Sequence, residues 1–413
     1  MKTDRVNWLS VLQFGLGALS ILISWIGALI FFTVGLFSII SGKGVHAAVG
    51  DPLRLFTMAA VYTAIGVLTL PSTYYALWRV LNLQAFDLRP LLNRVKPTFW
   101  ITPFILVLLV GYWISSHSAL AWFVFPLMHL LAVGLPVTCI LIFTIRSLPL
   151  GSAQRIWGIF TSGLLLAPSM AFVFEGLVGV GFLVCFVLVI SRDPNLLDQL
   201  SSLAEWMQKA NPTPELLVER ITPWLVHPAV ILSALLMIAV VVPMLEEALK
   251  PIGLYFLTKK RISPAAGFVL GVISGGAYAM VESLMLVSAG QQWVYMMVAR
   301  IGTAIIHIFT SGLIGWALVQ ARNKRGYARL GLSYFASVSI HGMWNALTLF
   351  STFFYLAIRN GFTLPYDIIY RLGLSAPFGL VFLAIGTFII LLKANRLMGH
   401  FWERKIQTPV QQP

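Results

Sequence analysis

Eight residues in the C-terminal half have the types and spacing of a reactive site: Glu246, Glu247, Lys250, Glu282, Arg300, His307, His341 and Asn345. The first three stand in "VVPMLEEALKPIGLYF", between apolar runs and bracketed by Pro243 and Pro251. Carboxylates and imidazoles gathered inside apolar segments can bind a metal, activate water or relay protons. Peptide hydrolysis by such a set needs a polarised water, a group that takes its proton, and donors that stabilise the oxyanion. A glutamate buried beside a second carboxylate can be that base, because burial and a like charge both favour its protonated form. The histidines and the Asn345 amide can orient the water or bind the oxyanion. Alternatively, two His and one or two Glu can ligate zinc and leave an open position for water.

The spacing constrains these roles. Glu246 and Glu247 lie about 12 residues from the basic end of their segment, roughly 18 Å deep at 1.5 Å per residue. An ionisable group at such depth costs roughly 2.5–3.5 kcal/mol. Lys250 stands at i+4 and i+3 from the two acids, so it can offset the cost of one carboxylate and not of both. Adjacent helical residues diverge by about 100°, so the two carboxylates must do different work. Pro251 cannot donate to the carbonyl of Glu247, which leaves that turn open and polar. In the next segment Gly267, Gly271 and Gly275 recur every fourth residue and continue through Ala279 and Ser283, a stripe that lets another helix approach closely. Glu282, seven residues after Gly275, points to the same packed side. Thr303, His307 and Ser311 align at i, i+4, i+8 with Arg300 two turns before the histidine, and His341 shares a face with Asn345.

The elements that must position these groups are membrane spans. Of the 413 residues 59% are hydrophobic and only 10% charged, and the mean hydropathy is +0.88. A soluble protein of this size needs far more charge to cover its surface. Apolar runs of about 20 residues are each long enough to cross a hydrocarbon core. They are continuous rather than alternating with period two, which excludes a β-barrel. The expected fold is an all-α polytopic integral membrane protein with about ten transmembrane helices. The segments are 10–40, 55–80, 97–116, 119–144, 156–191, 225–256, 264–288, 297–320, 330–357 and 368–392. The long first and fifth segments have room for a kink or a re-entrant piece.

The net charge of +14 does not cluster as a nucleic-acid-binding domain requires, so no nucleic-acid partner is expected. The positive residues punctuate the ends of the apolar runs: Arg79, Arg89, Arg94 and Lys96; Arg146 and Arg155; Lys259, Lys260 and Arg261; Arg322, Lys324, Arg325 and Arg329. With ten spans all four loops fall on one side together with both termini, so the positive-inside pattern predicts an N-in, C-in multi-pass protein of a plasma membrane. The apolar run after "MKTDRVNW" is too long for a cleaved signal and is expected as a retained first span. Cys139 and Cys185 lie inside apolar spans and offer neither a disulfide framework nor a CxxC metal pair.

Segment 192–224 carries five of the fourteen acidic residues, namely Asp193, Asp198, Glu205, Glu215 and Glu219. Leu196, Leu200, Leu203 and Met207 repeat at helical spacing beside Trp206, which predicts an amphipathic helix on the outer membrane face. Thr213 is placed to cap a short helix that starts at Pro214. The expected organisation is therefore a five-span N-terminal region over 1–191, the amphipathic segment 192–224, a C-terminal catalytic membrane domain over 225–396 and a cytoplasmic tail over 397–413. The halves show no internal repeat of the kind inverted-repeat transporters carry. Intramembrane charge is concentrated in the C-terminal half, with Glu175 and His129 the N-terminal exceptions.

Other hydrolase patterns are absent: there is no HExxH, the stretch "FTSG" at 309–312 lacks the first glycine of GxSG, and Tyr366–Asp367 has no GxGD partner. The ordered set EExxK at 246–250, aromatic-x-x-x-Glu at 278–282, Arg-x6-His at 300–307 and HxxxN at 341–345 resembles the PrsW family. These are intramembrane proteases distantly similar to the CAAX prenyl endopeptidases. The resemblance covers roughly residues 225–350 and implies a C-terminal protease-like helical core. It implies Glu246 and Glu247 as the catalytic pair, with Glu282, His307 and His341 completing the site and Lys250, Asn345 and Arg300 in support. Members are often labelled metalloproteases. By ligand type Glu247, Glu282, His307 and His341 would suit zinc, while a metal-free glutamate mechanism stays open. The family is implicated in cleaving membrane-anchored anti-sigma factors, so the implied partner is a membrane-tethered protein substrate within the lipid bilayer. Two positions depart from the family: Tyr278 stands where Phe is common, and Ser283 where Asn is frequent. A proton- or ion-coupled transporter using the same carboxylates and imidazoles, or a catalytically inactive scaffold, are the alternatives.

Overall fold

The computed structural model describes residues 8–41, 50–83, 101–146, 148, 150–192, 194–210, 213, 216–217, 220–221, 228–257, 262–324, 326–359 and 367–407. Among the described residues every regular element is helical. The chain forms α1 (Trp8–Ser41), α2 (Pro52–Val80), α3 (Ile101–Ile114), α4 (Ser118–Ile145), α5 (Ala153–Thr161) and, after a π-helical turn at Ser162–Leu166, α6 (Ala167–Ile190). It continues with α7 (Pro194–Ala210), α8 (Pro228–Leu236), a second π-helical turn at Met237–Val241, α9 (Val242–Leu249) and α10 (Ile252–Tyr255). The last four are α11 (Pro264–Leu284), α12 (Gly290–Lys324), α13 (Tyr327–Arg359) and α14 (Asp367–Gln407).

Eight helical segments among the described residues are long and apolar enough to cross a membrane, and the protein is an all-α, multi-pass membrane protein. The two other segments expected to span are also helical: α3, of 14 residues, and α13, of 33. Of the two long segments with room for an irregularity, α1 is one uninterrupted helix and the fifth carries the π turn Ser162–Leu166. Among the expected features, Arg89, Arg94, Lys96, Asp193, Pro214, Glu215, Glu219, Lys259, Lys260, Arg261, Arg325, Tyr366 and residues 408–413 lie outside the described residues.

The described chain forms two compact units. The first comprises residues 1–168, 247–337 and 386–413. Here α1 lies along α2, and the face that α1 buries is made of Ser10, Gly17, Ser24, Ala28, Gly35 and Ser38. Small residues at near-heptad spacing let the backbones close up, while the large apolar side chains of α1 point outward. A soluble amphipathic helix does the reverse, because there water rather than lipid is the solvent. Gln13 Nε2 donates to Ser72 Oγ (2.9 Å) and Gln154 Nε2 to Ser10 Oγ (2.8 Å), tying α1 to α2 and α5.

Helix α11 is the centre of this unit and is buried on nearly every side, by α12, α4, α5 and the π turn Ser162–Leu166. Its start is set by Ser263, whose Oγ accepts from Ala266 N at 3.1 Å, with Pro264 in the first turn. The glycine stripe is its contact with α12. A Cβ on Gly271 would drive into the Ser311 carbonyl and the Gly312 backbone, so only glycine permits the approach.

The second unit comprises residues 169–246 and 338–385. Within it Phe354 and Tyr370 meet edge-on at 5.2 Å, which joins its parts of α13 and α14. Helix α7 occupies the stretch expected as an amphipathic helix, and Arg220 sits over the Trp206 ring at 5.6 Å. Thr213 Oγ1 accepts from Leu216 N at 3.4 Å, the cap expected of it.

Candidate active site

The break at Lys250–Pro251 begins the site. Helix α9 ends at Leu249, and Pro251 opens a new turn in which Leu254 N donates to Pro251 O at 2.8 Å. The Lys250 carbonyl accepts instead from Ser274 Oγ of α11, at 2.5 Å. An apolar residue at 274 would leave that carbonyl without this donor, in a place where no water competes.

Within the first unit five ionisable side chains form one connected chain. Lys250 Nζ lies 2.6 Å from Glu247 Oε1 and 2.5 Å from His307 Nδ1. His307 Nε2 lies 2.8 Å from Glu282 Oε2. Arg300 Nη1 donates to Glu282 Oε1 at 3.0 Å, and its Nη2 is 2.7 Å from Oε2. An ammonium only donates, so His307 Nδ1 is the acceptor and Nε2–H donates to Glu282. Two carboxylates and two cations then balance, with the imidazole neutral between them. Such balance is what permits ionised groups at this depth, since a buried charge without its partner is far costlier than a pair. Glu247, Lys250 and His307 are buried, whereas the Glu282 side chain is 37% accessible, so the chain runs from an open end to a closed one.

Lys250 pairs with the carboxylate at i−3, Glu247. The lysine also lies 4.9 Å from the centre of the Tyr278 ring, which stands 5.5 Å from the His307 ring. The Tyr278 ring therefore flanks both groups. Ser283, the other departure from the family pattern, accepts from Arg300 Nε at 2.8 Å and donates to Ala279 O at 2.7 Å. It holds the guanidinium fork that grips Glu282. Neither Ser274 nor Ser283 stands out in the sequence as a site residue, because a small hydroxyl on a small-residue stripe has the signature of helix packing.

The second unit holds the remaining pair. His341 Nε2 lies 3.9 Å from Glu246 Oε2, and both residues are buried. Asn345 Nδ2 donates to Ile238 O at 2.9 Å. Ile238 is in the π turn Met237–Val241, where the widened backbone leaves carbonyls to be satisfied from outside the helix. A Cβ at Gly342 would collide with Ala239 O, so α13 is pressed against the same turn. Thus His341, Gly342 and Asn345 fasten α13 to the stretch that leads into Glu246.

Residues 213–370 match the family model described as PrsW family intramembrane metalloprotease. All eight site residues lie inside the matched stretch, and residues 1–212 lie outside it. No curated protein matches the chain, and no solved structure does.

Proposed function

We propose that the protein is an intramembrane endopeptidase that hydrolyses a peptide bond in a membrane-tethered protein, and that Glu246 with His341 activates the water. The observation that carries this assignment is the Lys250–Glu247 pair at 2.6 Å. Glu247 Oε1 is already engaged by the Lys250 ammonium, so that oxygen is committed to an ion pair rather than to a water. The His341 imidazole faces Glu246 at 3.9 Å, and general-base work at a water suits a carboxylate beside an imidazole. Glu247 then acts by anchoring α9, which fixes the backbone next to Glu246. Arg300 grips Glu282 by both terminal guanidinium nitrogens, and Glu282 accepts from His307 Nε2 and so fixes its tautomer.

The family description implies a metal, and the donor chemistry fits one. Two ligands of a tetrahedral zinc stand about 3.4 Å apart, close to the 3.9 Å between His341 Nε2 and Glu246 Oε2. With an ion bound, Glu246 and His341 would serve as ligands, and Glu246 would then not act as the base itself. When bound, zinc supplies a water of lowered pKa and polarises the scissile carbonyl. The membrane-anchored anti-sigma-type substrate implied by the family resemblance, in a cell membrane, suits a site built from helices that cross the bilayer.

Purified protein in liposomes with a tagged single-span substrate tests the assignment. Glu246→Gln and His341→Ala are expected to lower kcat by about 10³-fold or more, and Glu247→Gln by less, with part of its loss appearing as instability. Cleavage undiminished in Glu246→Gln would overturn the choice of base. Chelation together with metal content of the purified protein separates zinc from a metal-free glutamate mechanism.

A further inference from the structure

His129 lies on α4, outside the matched stretch 213–370, and is fully buried. Its Nδ1 receives a hydrogen bond from Trp293 Nε1 at 3.1 Å, and its Nε2 is 3.0 Å from Leu284 O. An indole N–H only donates, so Nδ1 carries the lone pair and Nε2 carries the proton. Both ring nitrogens are thus committed, in one tautomer, to two different helices.

The two partners are placed where they matter. Leu284 is the last residue of α11, and its carbonyl is one of the four that a helix end leaves without an internal partner. It follows directly on Glu282 and Ser283, the two residues that bind Arg300. Trp293 lies in the first turn of α12, two turns before Arg300 and four before His307. It is fully buried, with Phe125 at 5.1 Å, and a Cβ on Gly111 of α3 would strike its ring. A single imidazole from the N-terminal region therefore grips the end of α11 and the start of α12. Those are the helices whose register sets the Glu282–Arg300–His307 chain.

We infer that His129 is a positioning residue for the peptidase reaction: through Leu284 O and Trp293 it sets Glu282 and Ser283 against Arg300 and His307. The N-terminal membrane region then acts on catalysis itself as well as on packing. This rests on the proposed peptidase function. A misplacement of about 1 Å passed on to the reacting centre from a distant position can cost about 10²-fold in rate, and His129→Leu removes both the donor and the acceptor that hold the register.

The test is cleavage kinetics in liposomes for wild type, His129→Leu, His129→Gln and Trp293→Phe, with amide hydrogen exchange over residues 281–307 measured on each. Expected are a kcat lowered about 10- to 100-fold in His129→Leu with KM within about twofold. Substantial recovery is expected in His129→Gln, whose amide can still donate to Leu284 O, and an intermediate loss in Trp293→Phe, which keeps an aromatic ring there. Faster exchange in His129→Leu, centred on residues 283–287, accompanies the kinetic loss. Unchanged kcat in His129→Leu overturns the inference, as does a loss that Gln does not restore and that tracks lowered thermal stability. If wild type cleaves no substrate, the peptidase assignment fails, and the exchange pattern alone then supports or overturns the role of His129 as the pin.

Discussion

Helices α1 and α11 are both long enough to cross a membrane, yet only 11% of the apolar stretch of α1 is buried against 83% of α11. The more apolar of the two is the one left outside. In a soluble protein the most hydrophobic helix takes the centre, because burial removes apolar surface from water. Lipid is as apolar as a leucine side chain, so that drive is missing here and close backbone approach with satisfied polar groups decides who is central. Helix α11 meets those demands with Gly271 against the Ser311 carbonyl, Ser274 on Lys250 O, and Ser283 and Glu282 on Arg300. Helix α1 offers α2 a seam of small residues and the Gln13–Ser72 hydrogen bond, and presents leucine, isoleucine and tryptophan outward. Glu282, Arg300 and His307 sit on α11 and α12, the least apolar of the eight spans and the most enclosed by protein.

Substitutions on the two helices, and at Lys250 whose carbonyl α11 holds through Ser274, should break or sharpen that contrast. The largest effect is expected of Lys250→Met, which leaves the buried Glu247 carboxylate without its ammonium and costs about 3–5 kcal/mol. Thermal unfolding in detergent should fall accordingly, and Glu247→Gln in the same chain should restore much of it. Next is Gly271→Ala, whose methyl meets backbone that cannot step aside. About 1–3 kcal/mol of destabilisation is expected, with loss of cleavage as α12 and His307 are pushed away. The smallest is Gly15→Ala on α1, where a Cβ meets nothing within 4 Å. Its melting temperature and cleavage rate should stay at wild type, within about 0.5 kcal/mol. Equal effects of the two glycine substitutions would show that α1 and α11 do not differ as described.

Much of the architecture is legible in the sequence. Runs such as "LSILISWIGALIFFTVGLFSII" can only be membrane helices, because any other backbone would leave polar groups unsatisfied in lipid. The glycines at 267, 271 and 275 likewise announce a close helix contact. The charged set is legible too, since an ionisable residue in a span is costly enough to need a reason. His129 is a different matter. A lone imidazole in an apolar run has the same signature whether it binds a ligand or joins two helices, and its partners lie 155 and 164 residues away. Ser274 and Ser283 were hidden for a related reason, because a serine fits a small-residue stripe without doing anything further.

The sequence by itself determined that Glu246, Glu247 and Lys250 would be buried together on a broken helix, and that one lysine could not offset both carboxylates. That follows from hydropathy, from Pro251 and from one positive charge set against two negative ones. Which carboxylate takes Lys250 was beyond it, because i+3 and i+4 partners are equally within reach on a helix. The tertiary structure decided it, with His307 Nδ1 and the Tyr278 ring drawing the ammonium to the side of Glu247. Those attractions come from α11 and α12, and no local rule of spacing carries them.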